Sequence, residues 1–96
     1  MRLMLYAEID TPTGNQRIVE GRMSEVMDGL VGRLAPEAAY FYERHGRRAF
    51  TLVVEAPDSS SLPSLVEPIW LELGAHVEVI PCMTADELRE GLGRLG

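Results

Sequence analysis

Apolar side chains alternate with polar or mixed ones over residues 2 to 9. Leu3, Leu5, Ala7 and Ile9 fall on one side, and Met4, Tyr6 and Glu8 on the other. A period of two predicts a strand. The stretch Thr11-Pro12-Thr13-Gly14-Asn15 has the chemistry of a loop, with Asn15 as the cap of a following helix. Val19, Met23, Val26, Met27, Leu30 and Leu34 then recur at helical spacing, with Arg17, Glu20, Glu25, Asp28 and Arg33 off the stripe. One amphipathic helix is predicted there. Gly21, Gly29 and Gly32 each cost it up to about 1 kcal/mol relative to alanine, so it depends on docking.

Pro36 ends that element. Two strand-like runs, Ala38 to Tyr42 and Ala49 to Glu55, flank a charged turn containing Gly46 and predict a hairpin. Pro57 to Ser61 leads into a second helix, whose stripe is Leu62, Leu65, Val66, Ile69, Trp70 and Leu73. Pro68 removes a backbone donor inside it, which predicts a kink or a helix in two pieces. Gly74 suits the end of this helix, and His76 to Ile80 is the last strand. Thr84 and Glu87 match a capping box ahead of a short helix carrying Leu88, Leu92 and Leu95. The order βαββαβ plus a terminal helix predicts an α+β, ferredoxin-like domain over residues 1–96. Its four-stranded antiparallel sheet has two helices on one face and the first and third strands at the centre.

Strand parity then divides the sheet. Leu3, Leu5, Ala7, Ile9, Phe41, Phe50, Leu52, Val54, Val77 and Val79 belong under the helices. The opposite face carries all three tyrosines, Tyr6, Tyr40 and Tyr42, together with Met4, Val53, His76 and Ile80. Such a patch is larger than most monomers expose and has the composition of an interface centre. These seven residues are therefore the expected interface of a homodimer. Met23, Met27, Phe50 and Trp70, on the helix side, are the expected lining of a pocket for a small apolar or aromatic molecule.

At 96 residues the chain supports one domain. Its net charge of −6 repels polyanions, and the match to an RNA-recognition strand fails, because Arg48 to Glu55 carries a single aromatic, on the helix side. No nucleic-acid partner is expected. All nine basic residues are arginine, which removes Schiff-base chemistry and the lysine of a phosphate-binding loop. Cys82 is the only cysteine, so no disulfide forms within the chain. The first ten residues lack the apolar core of a signal peptide, and no stretch is long and apolar enough for a membrane span, so the expected location is the cytoplasm.

His45 and His76 lack partners at ligand spacing, and no metal site or cofactor is expected. His45 reads as a turn residue beside Gly46. His76 shares a face with Tyr6, and these two are the candidates for acid–base catalysis. Arg44, Arg47 and Arg48 read as a solvated hairpin tip, and Trp70 reads first as core.

The run Glu67-Pro68-Ile69-Trp70, then Leu73 to Glu78, then Pro81-Cys82-Met83-Thr84 with Glu87-Leu88, is similar to small bacterial proteins of the dimeric α/β-barrel superfamily. The resemblance implies two ferredoxin-like protomers packed sheet against sheet. It also implies an activity range that includes cofactor-free monooxygenases on aromatic substrates, isomerases, haem-handling enzymes and members with no known activity. No catalytic motif of the superfamily is present to assign a role to any residue. Three functions stay open: a small-molecule-binding homodimer, a metal-free monooxygenase or isomerase acting on an aromatic substrate, and a plain interaction module.

Overall fold

A computed structural model describes residues 1–96. The elements are β1 (Arg2–Glu8), α1 (Thr11–Val19), α2 (Met23–Leu34), β2 (Ala38–Arg44), β3 (Arg47–Glu55), a 3-10 turn (Ser59–Ser61), α3 (Leu62–Leu73), β4 (His76–Pro81) and α4 (Ala85–Gly93). The four strands form one antiparallel sheet in the order β2-β3-β1-β4, with β1 and β3 in the middle. No helix is long and apolar enough to cross a membrane.

Register fixes the faces, because residues paired across strands point the same way. Leu5 pairs with Leu52 and Val79, while Tyr6 pairs with Thr51 and Glu78. Leu3, Leu5, Ala7, Phe50, Leu52 and Val54 are buried against Val26, Leu30 and Leu34 of α2 and against Leu65, Val66, Ile69 and Leu73 of α3. No helix covers the other face.

The first helical region departs from the expectation. Thr11 to Asn15 is helical, and the cap is Asp10, not Asn15. The Asp10 carboxylate accepts from the Thr13 amide, and Pro12 sits in the first turn, where its missing N–H costs nothing. The single predicted helix is two. It breaks at Gly21, whose φ of +70° lies outside the helical region, and Val19 points into solvent. Close approach explains Gly14, the one buried residue of α1: a Cβ there would stand 2.7 Å from the Arg48 guanidinium and 3.2 Å from Ile9.

Helix α3 runs unbroken through Pro68, against the expected division into two pieces. It ends at Gly74, in the left-handed conformation with its amide bonded to the Trp70 carbonyl at 2.8 Å. The buried members of its stripe are Leu65, Val66, Ile69 and Leu73. Trp70 is not core: it lies beside them facing outward, 48% exposed.

Helix α4 has no buried residue. The molecule measures 56 × 27 × 17 Å, and its radius of gyration is 15.2 Å, against about 12.5 Å for a compact chain of this length. Helix α4 is thus an arm. Its root is well made: Thr84 and Glu87 form the expected capping box, and Arg2 bridges Glu37 at 2.6 Å and also Glu87.

Candidate functional site

The β2–β3 hairpin closes through His45 and Gly46, both with positive φ (+55° and +71°), as a two-residue primed turn requires. Histidine is among the few non-glycine residues that tolerate this conformation. The turn brings His45 to the end of β1, where its Nδ1 lies 3.1 Å from Glu8 Oε2. The same carboxylate oxygen accepts a hydrogen bond from the Tyr6 hydroxyl, two residues earlier on the same face. The Arg44 guanidinium stands 5.7 Å from the centroid of the Tyr6 ring, in a cation–π arrangement.

These groups border a cleft of about 320 Å³ on the uncovered face, whose apolar side is Met4, Tyr6, Tyr42 and Ile80. The Tyr42 and Thr51 hydroxyls bond to each other at its edge. The Glu8 side chain is only 10% exposed. The bonds from Tyr6 and then His45 hold its carboxyl below the usual carboxylate range, against the opposing effect of desolvation. Tyr6 moves the other way, to about 12, through desolvation first and its bond to Glu8 second. At neutral pH Tyr6 is therefore a protonated donor held by Glu8.

Glu8→Gln should bring the Tyr6 titration back toward 10, read as tyrosinate absorbance. A step unmoved by that substitution would assign the shift to desolvation alone. The two groups destabilise the fold at opposite ends of the pH range. Stability linked to Tyr6 is intact below pH 10 and is lost as pH rises toward 12. Stability linked to Glu8 is present above its unfolded value of about 4.5 and is lost as pH falls through the lowered folded value.

Of the two catalytic candidates, Tyr6 lines the cleft and His76 does not. His76 Nε2 lies 3.0 Å from Glu78 Oε2, exposed on the edge strand β4. Met4, Tyr6, Tyr40, Tyr42, Val53, His76 and Ile80 all sit on the face away from the helices. The four expected pocket residues do not surround one cavity. Phe50 is fully buried in the core, Met23 and Met27 line a shallow hollow beside Phe41, and Trp70 lines a separate groove with Leu62 and Val79. Glu8, His45 and Arg44 belong to the cleft although motif reasoning does not single them out for it. The signal that could have found them is parity, which puts Glu8 and Tyr6 on one face, together with the two-residue loop that returns His45 to the end of β1.

No group of three or more His, Cys, Asp or Glu side chains converges in a metal-binding arrangement. No family model matches the chain, and no curated protein or solved structure matches it either.

Proposed function

We propose that this chain is a ferredoxin-like protomer of a homodimer that holds a small apolar or aromatic molecule against its uncovered sheet face. Helical connections from β1 to β2 and from β3 to β4, and the central position of β1 and β3, support the fold assignment. One observation carries the binding reading: the open-face cleft joins an apolar floor, Met4, Ile80 and the Tyr6 and Tyr42 rings, to a few convergent polar groups, Glu8, Arg44 and Thr51. That combination characterises small-molecule sites. On the helix side the centre is filled by Phe50, Leu52 and Leu30, so its hollows lie at the margins, beside α3 and β4 and beside Met23 and Met27.

Native mass spectrometry of freshly purified protein reads subunit number and any retained ligand together. With 1-naphthol as a probe, amide resonances of Met4, Tyr6 and Thr51 should shift, and Tyr42→Ala should weaken binding about tenfold, the loss of one aromatic contact. Shifts confined to α3 would sink the assignment of the site.

The His45–Glu8 pair favours a second reading as a metal-free enzyme. A carboxylate on Nδ1 fixes the tautomer and leaves Nε2 free to take a proton, the role expected of His76 from its place in the sequence. His45→Ala would then abolish turnover while retaining most of the probe affinity, which rests on the apolar floor.

A further inference from the structure

The carboxylates that line the open-face cleft have partners, and its arginine does not. Glu8 offers little to a ligand: its side chain is 10% exposed, and its Oε2 already accepts from Tyr6 and lies 3.1 Å from His45 Nδ1. Glu78, the other carboxylate of the lining, has its Oε2 3.0 Å from His76 Nε2. Arg2, Arg17, Arg22, Arg89 and Arg94 each pair with a carboxylate, and Arg48 bonds to Asn15, but Arg44 borders the cleft with no acceptor of its own. Its contact with the Tyr6 ring engages the charge without using the N–H donors. Across the register Arg44 faces Arg47, and like charges directly opposite each other on one face are unfavourable until an anion comes between them.

From this we infer that the molecule held in the cleft is an aromatic carboxylate, whose ring lies on Met4, Tyr6, Tyr42 and Ile80 and whose carboxylate is taken by Arg44. Arg44 is then the residue that sets the charge specificity of the site. The inference rests on the small-molecule reading above and adds the charge of the ligand to it. A planar carboxylate matches the guanidinium fork through two parallel N–H···O bonds, and a guanidinium is weakly enough hydrated to serve beside an apolar floor. The cleft, about 320 Å³, is at the small end for such sites and suits a ligand of one or two fused rings. The chain as a whole, at a net charge of −6, attracts cations. Selection of an anion must therefore come from a local group, and should vanish with it.

Three probes of similar size test this near neutral pH, where 1-naphthoate is anionic, 1-naphthol neutral and 1-naphthylmethylamine cationic. By titration calorimetry the wild-type protein should bind 1-naphthoate at least about tenfold more tightly than 1-naphthol, and the amine more weakly than either. Arg44→Gln should erase the margin between naphthoate and naphthol. Arg44→Lys, which keeps the charge without the fork, should retain only part of it. Circular dichroism checks the fold, which this exposed position does not support. A wild-type protein with no preference for naphthoate over naphthol, or with a preference for the amine, overturns the anion assignment and leaves the cleft as a small-molecule site. A naphthoate margin that survives Arg44→Gln overturns the role of Arg44. If none of the three probes shifts the amide resonances of Met4, Tyr6 and Thr51, the small-molecule reading falls and this inference falls with it.

Discussion

Phe50→Ala is expected to lower the unfolding free energy by about 3–5 kcal/mol, whereas Phe41→Ala should cost about 1 kcal/mol or less. The two rings touch, with centroids 5.8 Å apart, and they pair directly across β2 and β3. By parity and chemistry they are alike. Their environments differ: Phe50 is 1% exposed, on a central strand, while Phe41 is 53% exposed, on an edge strand beyond the helices. Truncating Phe50 removes transfer free energy and leaves a cavity that the surrounding leucines only partly fill. Truncating Phe41 removes part of one aromatic contact. A domain of this kind has about 5–15 kcal/mol in total, so the first variant approaches the threshold of folding. Urea unfolding followed by circular dichroism, with an unchanged slope, measures both. Equal losses would mean that the covered face extends over β2.

That contrast separates what is legible in the chain from what is not. Parity is a local property of an extended segment, so spacing alone assigns Leu3, Leu5 and Tyr6 to their faces. How far the helices extend across the sheet is a tertiary property, and for that reason Phe41 and Trp70 depart from their expected places. The split of the first helix has a visible cause in Gly21, but three glycines in one window do not distinguish a weakened helix from a broken one. Asp10 and Asn15 are both good caps, and Pro12 favours the earlier start because proline is tolerated in the first helical turn. The capping box at Thr84 is readable because its two reciprocal partners lie within one turn. That α4 leaves the body is not, since an amphipathic stripe looks the same whether it meets its own core or another chain.

Val53→Glu should raise the dissociation constant of the proposed dimer at least about a thousandfold, roughly 4 kcal/mol. Val53 lies on central strand β3, opposite Met4 on one side and Ala38 on the other, in the middle of the uncovered face. In an isolated protomer a glutamate there is solvated, as Glu55 two residues on is already, so the fold should survive. Between two sheets it would be a buried charge without a partner, and its symmetry mate would add a like charge. Val53→Thr keeps the branched shape and should retain the dimer with a smaller loss. Sedimentation equilibrium across the micromolar range distinguishes the outcomes. A dimer of unchanged affinity in Val53→Glu would show that the two copies meet elsewhere, and the tyrosine-bearing face would then be left to its ligand alone.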